Sequence, residues 1–120
     1  MRLVRQPPGS SLCGQACIAM AAGVSLKKAL EAVGHGRRGG TTTRQVIVAL
    51  RKLGLRAADR CRPISRTRPV YPQKALLVMR KNGTRRYHWV FYKNGAFYDP
   101  EDLWPRYDGW RVTSYLEIFN

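Results

Sequence analysis

Acidic residues are scarce in this sequence. Of 120 residues only seven are Asp or Glu, against 22 Lys plus Arg, and the formal charge is +15. The shortage is uneven. Residues 1–94 hold only Glu31 and Asp59 beside 20 basic residues, whereas Asp99, Glu101, Asp102, Asp108 and Glu117 all follow, with Arg106 and Arg111. A surplus that large bears on partners and solubility rather than on fold. Long apolar runs are also missing: none reaches the roughly 18 residues of a membrane span, and the opening MRLVRQPPGSS carries no apolar h-region, as a signal peptide would. A cytoplasmic protein without a membrane span is the expectation. Cysteine is limited to Cys13, Cys17 and Cys61, an odd number that argues against a disulfide framework in a reducing compartment. Core-forming residues are not short: 44% hydrophobic and 10% aromatic is enough to argue against disorder and to fill one domain core.

The residues that are present fall into two halves, expected to form one domain spanning 1–120. Residues 1–54 read as helical. LCGQACIAMAA, 12–22, is Ala-rich and ends before Gly23, a natural C-terminal stop. Ser25 can cap LKKALEAV, in which Leu26, Ala29, Leu30 and Val33 recur at helical spacing before Gly34. The Gly-rich stretch GHGRRGG, 34–40, reads as a flexible connector, since it lacks the Lys-Ser/Thr ending of a P-loop. Thr42 and Gln45 then have capping-box spacing, and Val46, Ala49, Leu50 and Leu53 form the apolar stripe of a third helix closed by Gly54.

Residues 55–120 read as β. A short strand and an extended basic connection come first, through LRAADRCRPISRTRPVYP. ALLVMR, RRYHWVFY and AFYDP follow, separated by KNG at 81–83 and again at 93–95, and WRVTSYLEIF supplies a further strand. Asn-Gly between β-branched and aromatic runs is the strongest short hairpin signal. Helices first and sheet second predict an α+β fold, the helices packed on an antiparallel β-meander.

Three residues carry chemistry in this layout: Cys13 at the start of helix one, His88 in the second meander strand, and Asp99 at the end of the third. A thiol at a helix N-terminus meets peptide dipoles and free N–H groups that favour its anion. An imidazole can take the thiol proton and later return it to a leaving group, and a carboxylate on the other ring nitrogen fixes the tautomer. His88 and Asp99 lie on strands joined by a KNG turn, which lets them meet. Gln6 can aim an amide N–H at an oxyanion, with the Cys13 backbone N–H as second donor.

Gln6, LCGQACIAM, TTTRQVIVALRKLGL, ALLVMR and YHWVFYKNGAFYDP, in that order, resemble the papain-like cysteine peptidases of the C39 type over roughly the whole chain. The resemblance implies a papain-like fold and a thiol hydrolase without metal or organic cofactor. Cys13 would be nucleophile, His88 base, Asp99 orienting acid and Gln6 oxyanion donor, acting on a peptide or protein. Leu12 stands where the family often has an acid, and the interval from Gln6 to Cys13 is one residue longer than in the bacteriocin-leader peptidases.

Plainer readings stand beside these. Cys17, among Ile18, Met20 and alanines, reads as core; Cys61, between Arg60 and Arg62, reads as a bystander that the flanking cations can make reactive. A zinc site from Cys13, Cys17, His35 and Cys61 matches no standard spacing. Trp89, Phe91, Tyr92, Phe97 and Tyr98 read as packing before base stacking. Sixteen of the 22 cations are arginine, the residue suited to phosphate and carboxylate. Arg60, Arg62, Arg66, Arg68, Arg80, Lys81, Arg85 and Arg86 form the candidate surface for nucleic acid or an acidic partner, a field that would also steer acidic substrates to the cleft. The alternative to an enzyme is a binding protein of the same fold that uses this surface.

Overall fold

The computed structural model describes residues 2–34, 40–104 and 108–119. The element order is α1 (Cys13–Ala22), α2 (Leu26–Val33), α3 (Thr43–Lys52), β1 (Arg56–Ala57), β2 (Arg62–Pro63), β3 (Lys74–Lys81), β4 (Tyr87–Lys93), β5 (Ala96–Tyr98) and β6 (Trp110–Phe119). It is an α+β arrangement of three helices and one antiparallel sheet.

Local chemistry sets the helix limits. α1 stops at Gly23, which takes a left-handed φ of 68° and returns its N–H to the Ala19 carbonyl. Ser25 Oγ accepts from Lys28 N–H at the start of α2. Thr42 and Gln45 exchange both bonds of a capping box at the start of α3, satisfying two otherwise orphaned donors. α1 is buried from Cys13 to Ala21. Its small residues let it sit between the other helices and the sheet, where Ile18, Leu76, Trp89, Phe91 and Leu116 fill the main core. Full burial of each of these large side chains contributes about 1.5–3 kcal/mol.

The sheet order is β1-β6-β3-β4-β5, with β2 also paired to β6. The expected meander forms the β3-β4-β5 part of this order. β3, β4 and β5 do follow one another, but the C-terminal strand crosses back to pair with the other edge of β3, leaving β3 central. The reason lies in burial: Ala75 to Met79 are all buried, and a strand buried on both faces needs a neighbour on each edge to satisfy its backbone. The two KNG turns also differ. Asn94 and Gly95 both have positive φ, 49° and 87°, closing a two-residue turn between paired Lys93 and Ala96. At the first, the bond from Lys81 N–H to the Arg86 carbonyl encloses a longer loop, and Asn82 N–H is drawn to the Gly109 carbonyl at 2.7 Å.

Among the described residues, the second face of the sheet carries no helix. Ala75, Leu77, Met79 and Val90 are covered there by Tyr71, Tyr92, Phe97, Trp104, Trp110 and Tyr115. Phe97 stacks on Trp104 with ring centroids 4.3 Å apart. Trp89 and Phe91 thus belong to the main core, and Tyr92 and Phe97 to this aromatic layer. Among the described residues no helix is long and apolar enough to cross a membrane.

Candidate active site

The N-terminus of α1 points its first turn at the start of β4. Leu12 stands at the N-cap without a side-chain bond, so no side chain of the cap competes for the first-turn N–H groups. Gly14 is required here by its neighbours: a Cβ would come 2.1 Å from Thr41 Oγ1 and 3.3 Å from Trp89 Cδ1. The Cys-Gly pair is therefore a packing solution as well as a motif. It lets the segment at Thr41 and strand β4 close on the helix beside the thiol.

Sequence-distant Cys13, His88 and Asp99 come together. His88 and Asp99 are both buried, at 5% and 3% exposure, and His88 Nε2 lies 2.7 Å from Asp99 Oδ1. The Cys13 side chain hydrogen-bonds the same ring, and with Nε2 engaged this leaves Nδ1 for the thiol. Burial alone would lower the basicity of His88, but the hydrogen bonds and charges of Asp99 and Cys13 outweigh it and push the imidazole up to about 9. The ring therefore carries its proton at neutral pH, the form that pairs with a thiolate and can protonate a leaving group.

Asp99 holds the turn that follows it as well as His88. Its Oδ1 also accepts from Glu101 N–H at 3.0 Å, and its Oδ2 from Leu103 N–H at 2.9 Å. The turn after Asp-Pro is built around the carboxylate, and the turn in return aims the carboxylate at His88. Those two backbone donors escaped the sequence reading. The Asp-Pro-Glu-Asp run, with Asp favouring bonds to backbone two residues on, was the available signal.

Gln6 is buried beside the site. Its Nε2 donates to the Ser10 carbonyl at 2.7 Å and its backbone N–H to the Pro100 carbonyl at 3.0 Å. A carbonyl can only accept, so the amide nitrogen faces Ser10; the second N–H of that nitrogen is the one left for an oxyanion. The interval from Gln6 to Cys13 is spanned by a turn in which Ser10 N–H returns to the Pro7 carbonyl.

A cleft of about 630 Å³ opens over Cys13, Gln6 and His88, with Gly40, Tyr87 and Trp110 on its walls. Its charged lining is balanced among the described residues: Arg85 and Arg86 stand with Glu101 and Asp108, and Arg86 lies over the Trp110 ring at 5.6 Å. The cationic surplus is a property of the surface outside the cleft. Arg60, Arg62, Arg66 and Arg68 are exposed along 60–68, and Arg80 borders a different cavity, lying over the Tyr87 ring at 5.8 Å. Lys81 sits at the end of β3. The eight candidate cations therefore do not form one patch with the thiol: only Arg85 and Arg86 line its cleft.

The remaining cysteines separate from Cys13 in environment. Cys17 is fully buried, and burial, then the charges of Cys13 and Asp99, raise its thiol well above the ordinary range, so it stays protonated as a core residue. Cys61 is raised as well, because burial outweighs its bonds to Thr43 and Ser114 and the charge of Arg80. The groups acting on its thiol are Thr43, Ser114 and Arg80, and not Arg60 and Arg62 that flank it in sequence. Cys61 borders the Arg80 cavity, not the cleft; His35 and most of the Gly-rich connector lie outside the described residues. No protein-family model matches the sequence, and no curated protein matches it.

Proposed function

We propose that this protein is a papain-like thiol hydrolase, a cysteine peptidase working through Cys13, His88 and Asp99. The observation that carries the reading is the buried contact of His88 Nε2 with Asp99 Oδ1, 2.7 Å, on a ring whose other side is hydrogen-bonded by Cys13. In this mechanism the Cys13 sulfur attacks the substrate carbonyl carbon. The oxyanion is taken by the Cys13 backbone N–H and the free amide N–H of Gln6, and collapse of the tetrahedral adduct expels the amine with the proton of His88. Water then gives a proton to His88 and its hydroxyl to the thioester carbon, and collapse of that adduct releases the acid and leaves the Cys13 thiolate beside protonated His88. The cleft accepts a chain of mixed charge, with acidic groups toward Arg85 and Arg86 and basic groups toward Glu101 and Asp108.

A second reading, a binding protein that uses the same fold on nucleic acid or an acidic partner, draws on the exposure of Arg60, Arg62, Arg66 and Arg68. Iodoacetamide labelling separates the two. The enzyme reading expects one equivalent to enter at Cys13, faster at neutral pH than into a free thiol, and expects His88→Ala to remove the acceleration. Labelling at the free-thiol rate in both proteins ends the enzyme reading in favour of binding.

A further inference from the structure

The face of the sheet turned away from the helices combines aromatic rings with cations. Residues directly opposite one another on paired strands share a face. Leu77 and Met79 belong to this face, and so do their β6 partners Tyr115 and Val112. Further along, Trp110 lies opposite Lys81, and on β5 Phe97 lies opposite Tyr92. With Tyr71 and Trp104 this makes six aromatic side chains, each only partly buried. They hold one another in place, Tyr71 against Tyr92 at 4.9 Å and Phe97 on Trp104 at 4.3 Å between ring centroids. From β6 through β3 and β4 to β5 is three strand spacings, about 14 Å. A partly open aromatic cluster of this kind marks an interaction surface.

The charges beside the rings are nearly all positive. Arg62 on β2 is exposed and lies opposite Tyr115, Lys81 lies opposite Trp110, and Arg86 sits over the Trp110 ring at 5.6 Å. The connection from β2 carries exposed Arg66 and Arg68 and reaches Tyr71, which packs on Tyr92 and Phe97. None of these five cations forms an ion pair among the described residues. Glu117, opposite Ala75, is the acid that strand pairing places on this face. A fitting partner brings planar groups for the rings and a chain of negative charge for the cations. An acidic peptide brings only the second, and a duplex brings phosphates with bases already stacked on one another. A single strand brings both, because its unpaired bases can lie on aromatic rings while its backbone follows the cations.

We propose that this face binds single-stranded nucleic acid, with about two or three bases on the aromatic layer and phosphates toward Arg62, Lys81 and Arg86. The proposal rests on the nucleic-acid reading given above, which it narrows to one surface and one strand state, and it does not need Cys13 to be a nucleophile. Trp110 also walls the thiol cleft, so a strand held here lies beside that site.

The test follows the fluorescence anisotropy of a labelled oligothymidylate of about 12 nucleotides, within the usual site size, at low salt. The wild type should bind it more tightly than a duplex of the same length, the reverse of what charge density alone gives; this comparison needs no variant to fold. Tyr92→Leu and Tyr115→Leu keep an apolar side chain on the face but remove a ring, and each should weaken binding about fivefold or more, the lower end for one base stack. Tyr98→Leu makes the same change on a residue packed against the main core and should leave the affinity unchanged. Arg62→Gln should lower the slope of log affinity against log salt by about 0.7, one phosphate contact on a single strand. An oligouridylate separates RNA from DNA, and either preference supports the site. Equal or tighter binding of the duplex, or weakening by Arg62→Gln with none from either Tyr→Leu change, overturns the proposal and leaves the broader nucleic-acid reading standing. Binding of no nucleic acid at low salt overturns both, and polyglutamate bound as tightly as the strand overturns the proposal in favour of an acidic polypeptide.

Discussion

Asp99→Asn changes one charge at nearly constant shape and tests whether Asp99 sets the protonation of His88. In the native protein His88 holds its proton up to about 9, against 6.5 for an ordinary histidine. At about 1.4 kcal/mol per pH unit, the difference corresponds to about 3 kcal/mol of preference for the charged ring. The folded-state value lies above the unfolded one, so this contribution to stability is fully present below about pH 6.5 and is lost as pH rises through about 9. Removing the Asp99 charge leaves burial, which lowers the value, opposed by Cys13 alone. The His88 titration should fall by roughly 1–2 pH units, a common size for loss of one adjacent opposite charge. With only two histidines in the chain, the imidazole Cε1–H signals followed by NMR against pH give the answer directly. Urea unfolding supplies a second readout: between about pH 6 and pH 10 the wild type should lose more stability than Asp99→Asn. A native His88 that titrates at or below 6.5, or one that does not move when the charge is removed, refutes the electrostatic account of the site.

Two further outcomes follow from the same geometry. Gly14→Ala should destabilise by about 1–3 kcal/mol, the cost of overpacking, although the same change in an open helix stabilises by about 1 kcal/mol. The sign reverses because the new Cβ meets Thr41 Oγ1 at 2.1 Å. Pairing it with Thr41→Ala should recover part of the loss in urea unfolding, a coupling expected only for residues in contact. On the proposed mechanism, Gln6→Ala should lower kcat by about 10²- to 10³-fold with KM little changed, since an oxyanion donor acts in the transition state. A KM effect alone would place Gln6 in substrate binding.

Much of the helical half can be read residue by residue because its signals are local. Gly23, Ser25, Gly34, Thr42 with Gln45, and Gly54 mark the ends of α1, α2 and α3 through bonds made within a few residues of each position. The Asn94-Gly95 turn belongs to the same class, since two residues with positive φ suffice to define it. The path of β6 does not. Its pairing with β3 rests on contacts between residues about 35 positions apart, such as Val78 with Ser114, and nothing in WRVTSYLEIF says which free edge it takes.

The candidate site divides along the same line. Residue type and order alone marked Cys13, His88, Asp99 and Gln6, because thiol, imidazole, carboxylate and amide each bring a chemistry that does not depend on neighbours. Tertiary structure decided what those chemistries face. It placed Asp99 between His88 and two backbone donors, kept Cys17 and Cys61 away from the cleft as protonated thiols, and balanced the charge of the cleft inside a strongly basic chain. The scarcity of acids in residues 1–94 is a property of the sequence; where the few acids act is a property of the fold, because electrostatic effect depends on distance and burial, which only packing sets.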